Sequence, residues 1–146
     1  MGTSLKFVLA LAGILLAAPL RAQQGGYQLI VNAANPVSSL EARDVSRMFR
    51  KDVTRWKSGS AVAPVDQRVQ SPVRVAFSRK VHGRSVQMIA EFWRQQIFSG
   101  RNVPPVEKSS DAEVLEFVRA NPGAIGYVSS GLPLGPNVKV VVVNGG

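Results

Sequence analysis

The chain has 146 residues, 45% hydrophobic and 18% charged, with 18 Lys+Arg against 9 Asp+Glu, one histidine and no cysteine. That size suits one compact domain, and the apolar fraction argues against long disorder. Without cysteine there is no disulfide scaffold, thiol nucleophile, thiolate metal site or lipid-modified N-terminal Cys, and a lone His82 excludes a His-rich metal site.

Residues 1–22 read as a secretory signal: Lys6, an apolar run over 7–18, then Pro19, Leu20, Arg21 and Ala22, with cleavage after Ala22. The apolar run is well short of the ~20 residues a membrane-spanning helix needs. The expected mature domain is 23–146. Losing Lys6 and Arg21 takes two from the 18 basic residues and none from the 9 acidic ones, leaving +7. A Cys-free exported product of this kind is expected in the periplasm. Its field draws anions over roughly 8–10 Å, so small oxyanions and anionic surfaces are the candidate partners. Export, and basic residues without interleaved aromatics, set nucleic acid aside.

Strands and helices alternate through the rest. A β-like run covers 27–33 and stops at Asn35-Pro36. Ser38 with Glu41 three residues on predicts a capping box, followed by a helix to about Arg50 with Leu40, Val45, Met48 and Phe49 inward. The segment 56–60 reads as a turn that exposes Trp56, and 61–65 as a strand. Ser71-Pro72 predicts a hydroxyl-capped helix start with proline at the first position, and Val73, Ala76, Phe77 and Val81 inward. Gly83 ends that helix and Ser85 caps the next. The latter carries Val86, Ile89, Phe92, Trp93, Ile97 and Phe98 as core candidates before Ser99-Gly100 stops it.

Pro104-Pro105 makes 102–107 an extended loop, flanked by Arg101 and Lys108 as a possible docking edge. Ser110 and Glu113 form a second capping box for a helix with Val114, Leu115 and Val118 at helical spacing. Strands follow at 124–128 and 138–143. The second is almost all valine, which predicts a strand buried on both faces of a mixed or parallel sheet. The class is α/β, a mixed sheet flanked by helices.

Three stretches together resemble one lobe of the phosphate-binding proteins of ABC transporters, the type II periplasmic-binding-protein fold. The first is Ser39-Leu40-Glu41 with Met48-Phe49-Arg50-Lys51 and Trp56-Lys57-Ser58-Gly59. The second runs from Ala63-Pro64-Val65-Asp66-Gln67-Arg68 through Ser71 to Phe77. The third is Val118-Arg119-Ala120-Asn121-Pro122-Gly123-Ala124-Ile125-Gly126-Tyr127-Val128. The resemblance implies a binding protein rather than an enzyme, with phosphate held by helix-start amides, hydroxyls and an arginine. It also implies an inner-membrane ABC transporter as partner. Pro72 and Val73 stand where the family carries Gly and Thr, and Arg68 lies near the family arginine.

The residues themselves support an anion site. Segment 67–90 holds Arg68, Arg74, Arg79, Lys80 and Arg84 and no carboxylate. A helix N-terminus presents unpaired N–H groups and about half a positive charge. Arg68, Ser71, Val73 and Arg74 are therefore the expected ligand-binding residues: the Ser71 hydroxyl, the Val73 and Arg74 amides, and either arginine. A homodimer could supply a second wall. The alternative is an envelope interaction module that kept the lobe and lost its ligand. No catalytic residue, metal or cofactor is expected. His82 with Ser78 or Ser85 and Asp66 lacks a Gly-x-Ser-x-Gly turn, and His82 before Gly83 reads as a helix C-terminal residue.

Overall fold

A computed structural model describes Gly2 and residues 26–146. The expected signal, residues 1–22, lies outside the described residues apart from Gly2. The elements run β1 (Tyr27–Asn32), β2 (Ser39–Glu41), α1 (Ala42–Phe49), β3 (Ala63–Gln67), α2 (Pro72–Phe77), a π-helical turn (Ser78–His82), α3 (Val86–Phe98), β4 (Val106–Lys108), α4 (Asp111–Ala120), β5 (Ala124–Ser129) and β6 (Val138–Asn144). All six strands form one sheet in the order β2-β6-β1-β5-β3-β4. β1 is antiparallel to β5 and β6, whereas β3 is parallel to β4 and β5, and β2 to β6.

Side-chain alternation along the central strands divides the core between the two faces of the sheet. Leu29, Val31, Ile125 and Tyr127 face α1 and α2, where Val45, Met48, Phe49, Val73, Phe77 and Val81 close over them. Ile30, Ala124 and Val128 face Val114 and Val118 of α4. On that second face β5 carries Gly126, where a Cβ would lie 2.7 Å from Val65 Cγ1 and 3.0 Å from Val114 Cγ1. The glycine is what lets α4 approach the sheet. Asn32 fixes the far end of α4: its buried amide donates to the carbonyls of Val118 (3.0 Å) and Arg119 (3.1 Å), two of the four a helix end leaves free.

Several local expectations hold. Gly83 ends the second helical segment at φ 61, and Ser85 Oγ accepts the Met88 N–H at 3.2 Å. Ser110 Oγ accepts the Glu113 N–H at 3.2 Å, while Glu113 reaches back to the Ser109 N–H at 2.6 Å.

Others need correction. Residues 39–41 are a strand, not a capped helix start: β2 pairs with Val142, Val143 and Asn144, and α1 begins at Ala42 with no side-chain cap. The open edge of β6 satisfies more backbone groups there than one cap would. The strand expected at 61–65 lies at Ala63–Gln67, because Ala61 is used in a bridge to Arg55. The valine run of β6 alternates. Val141 and Val143 pack on the α1 face, but Val140 and Val142 are 47% and 59% exposed, since α4 covers only the Val138 end. The strands buried on both faces are β1, β3 and β5. The expected loop 102–107 ends in β4, which pairs with β3.

Trp56 is buried, its indole N–H donating to the Gly123 carbonyl at 2.9 Å, because the loop before β3 folds back on the Asn121–Gly123 turn. On α3 only Val86, Ile89 and Trp93 are buried. Ile97 and Phe98 extend past the body, and Phe98 is 96% exposed.

Candidate functional site

β3 ends in two polar residues, Asp66 and Gln67, both buried. The chain then turns through residues 68–70, with Ser71 N–H on the Arg68 carbonyl at 2.9 Å, and enters α2 at Pro72. Proline at the first helical position loses no hydrogen bond. The Ser71 hydroxyl does not cap the helix as expected; it donates to Gln67 Oε1 at 3.2 Å. The amides of Val73 and Arg74, in the first turn, have no hydrogen-bond partner among the described residues.

Arg74 is buried, and its guanidinium runs back beneath the turn. It donates to the Gln67 carbonyl at 2.5 Å, pairs with Asp66 at 3.5 Å and holds Glu107 Oε2 at 3.1 Å. Asp66 and Arg74 side chains are each 8% exposed, whereas Glu107, on the edge strand β4, is 49% exposed. Register explains the meeting, since Asp66 is the strand partner of Glu107.

Tyr127 closes the network from β5. Its hydroxyl donates to Asp66 Oδ1 and accepts the Gln67 N–H at 3.1 Å. Gln67 Nε2 donates to the Tyr127 carbonyl (3.0 Å) and Asp111 (2.7 Å). Burial raises the Asp66 carboxyl above its ordinary pKa, against the opposing pull of Arg74 and Tyr127. Burial, followed by the adjacent Asp66 charge, raises the Tyr127 phenol. Phe77 of α2 stacks on the Tyr127 ring with centroids 3.9 Å apart, which fixes α2 against β5.

Of the four expected residues, Ser71, Val73 and Arg74 surround the end of β3. Ser71 and Arg74 both touch Gln67, and the Val73 side chain enters the core. Arg68 is exposed at the turn and meets Ser71 through its backbone carbonyl. Sequence reasoning missed Gln67, Tyr127 and Glu107. Its one usable signal was Asp66, a charged residue directly after the apolar run expected as a strand at 61–65. Among the described residues no group of three or more His, Asp or Glu could hold a metal, and no helix is long and apolar enough to cross a membrane.

No protein-family model matches the chain, and no curated protein matches it by sequence. Solved structures do match in fold. An ABC-type phosphate transport receptor from Vibrio cholerae aligns with TM-score 0.63 and 21% identity over 81% of this chain and 46% of its own. A putative phosphate ABC transporter substrate-binding protein with bound phosphate, from Clostridium perfringens, aligns with TM-score 0.64 and 22% identity over 82% and 45%. A possible phosphate binding protein from Planctomyces limnophilus gives TM-score 0.62 at 14% identity, over 82% and 41%. The chain thus spans less than half the length of these proteins and has the α/β fold of one of their lobes.

Proposed function

We propose that this chain is an exported solute-binding lobe that captures a small oxyanion of the phosphate class where β3 meets α2. The Ser71 hydroxyl, the Val73 and Arg74 amides and the Arg68 side chain receive the anion, with the Arg74 guanidinium behind them. The observation that carries the reading is the contact between Arg74 and Glu107. A buried guanidinium at this corner already holds a carboxylate at 3.1 Å, and that carboxylate is half exposed. A free oxyanion of comparable charge can take the same donors while Glu107 turns to solvent. The two unpartnered amides add donors of the kind that helix starts offer anions. The choice of phosphate follows the proteins of like fold, one of which was solved with phosphate bound. Periplasmic residence, delivery to an inner-membrane ABC transporter, and a second copy closing the open side complete the reading.

Thermal shifts with phosphate, sulfate and acetate at low and high salt test it. Stabilisation by phosphate should survive high salt, weaken in Ser71→Ala plus Arg68→Ala, and strengthen in Glu107→Gln. If neither wild type nor Glu107→Gln is stabilised at millimolar phosphate, the reading is wrong.

A second reading, an envelope interaction module without ligand, is favoured by the end of α3. There Ile97 (53%), Phe98 (96%) and Val103 (60%) are exposed together, the kind of apolar patch that marks partner surfaces. In that case Phe98→Ser or substitutions over 101–108 abolish partner pull-down, and phosphate has no effect.

A further inference from the structure

The π-helical turn sets up a second polar site, away from the β3–α2 corner. One extra residue in a helical turn bulges the backbone and re-aims the side chains that follow. Here the bulge ends in His82, and Gly83 reverses the chain at φ 61. The reversal is pinned from both sides: Ser78 Oγ donates to the Arg84 carbonyl at 2.8 Å, and the Arg84 N–H to the Ser78 carbonyl at 3.4 Å. The His82 ring stands edge-on to Phe77, with centroids 5.4 Å apart, and its Nδ1 lies 2.8 Å from Ser46 Oγ on α1. Arg50 follows Ser46 by one helical turn and so shares its side of α1.

Ser46, Arg50, His82, Arg84 and Ile89 line a cavity of about 100 Å³. At roughly 30 Å³ per water this holds about three waters, the scale of one small polyatomic ion. The lining brings two guanidinium groups and no carboxylate. Arg50 is paired outside the lining with Asp52 at 3.3 Å, and Arg84 makes no ion pair among the described residues. The charged groups acting on His82 are Arg50 just after α1, Arg74 on α2 and Arg84 beyond the turn, all positive. Burial, and then these charges, hold the imidazole down at about 4, so it is neutral at pH 7. When the Ser46 hydroxyl donates to Nδ1, the neutral ring keeps its proton on Nε2, which then serves as a donor.

We propose that this cavity is a binding site for a small oxyanion, held between Arg50 and Arg84 with the His82 Nε2–H as hydrogen-bond donor and Ser46 orienting the ring from Nδ1. It shares no lining residue with the corner at Ser71. An anion placed there screens the arginines from His82 and favours the imidazolium, so binding and protonation of this ring are coupled.

His82 is the only histidine in the chain, so its imidazole NMR signals are read without overlap; Arg74 at the β3–α2 corner also acts on the ring, and the Ser71→Ala plus Arg68→Ala variant separates an anion bound there. Inorganic phosphate and sulfate are titrated into the full mature protein at constant ionic strength, and the His82 pKa is measured with and without each. The expected result is a saturable shift of the ring signals and a pKa rise of about one unit. That rise corresponds to tenfold tighter anion binding by the protonated form. Arg84→Ala and, separately, Arg50→Ala should lose both effects while keeping the wild-type circular dichroism spectrum. Ser71→Ala plus Arg68→Ala should keep both. Flat signals up to tens of millimolar anion, a response that never saturates, or an unchanged response in Arg84→Ala would each overturn the site.

Discussion

Removing Arg74 should unfold much of what holds β3, α2 and β5 together, whereas removing its exposed partner should not. Arg74 and Asp66 are each 8% exposed, so Arg74→Ala leaves a buried carboxylate without its cation and the Gln67 carbonyl without its donor. Breaking a buried pair from one side costs about 3–5 kcal/mol. At about 4 °C per kcal/mol for a chain of this size, the melting temperature falls by roughly 12–20 °C. Glu107 is 49% exposed, and neutralising it to Gln costs at most about 1 kcal/mol, with salt screening what remains. Urea unfolding at pH 7, followed by Trp fluorescence, measures both. The double variant Asp66→Asn plus Arg74→Met should recover most of the loss, because it removes both charges at once. If Arg74→Ala proves no worse than Glu107→Gln, the network is not the internal support described above. The same arithmetic shows why Glu107→Gln, not Arg74→Ala, is the informative variant for anion capture: it frees the guanidinium without dismantling its seat.

The buried neutral imidazole makes stability pH-dependent. His82 titrates at about 4 in the folded chain against an ordinary 6.5, so its contribution is full above pH 6.5 and is lost on acidification towards 4. The loss amounts to about 3 kcal/mol. His82→Gln should flatten the melting temperature against pH over that window, and an unchanged slope counts against the buried ring. Gly126→Ala places a methyl 2.7 Å from Val65 Cγ1 and should cost about 1–3 kcal/mol in chemical denaturation. Phe98→Ser removes a ring that is 96% exposed; its unfolding free energy in urea should stay within about 0.5 kcal/mol of wild type.

Local chemistry was legible in the sequence and distant pairing was not. Gly83, Ser85, Ser110 and Glu113 act within four residues of their own position, and the structure uses each as its residue type suggests. Ser38 and Glu41 carry the same kind of signal, yet an edge strand a hundred residues away outbids a local cap. Phe98 sits at a core-like helical spacing, but nothing in its own helix reveals that the body ends at Trp93. The corner was half visible. Ser71-Pro72 marks a helix start and Arg74 a nearby cation. The groups that neutralise that cation arrive from β3 and β4, and the Tyr127 hydroxyl that steadies Asp66 comes from 61 residues away. Ser46 and His82 are likewise 36 residues apart, with no pattern in the sequence to join them.

The place of β1 has a consequence for how the molecule is made. It is the first strand among the described residues, yet it lies between β5 and β6, pairing Tyr27 with Ser129 and Leu29 with Val141. Loops of about a hundred residues must close before its ladders form, which makes assembly slow and late. A nascent chain therefore keeps its apolar β1 unsatisfied until β5 and β6 have been made. That interval is when a chaperone would have most to hold.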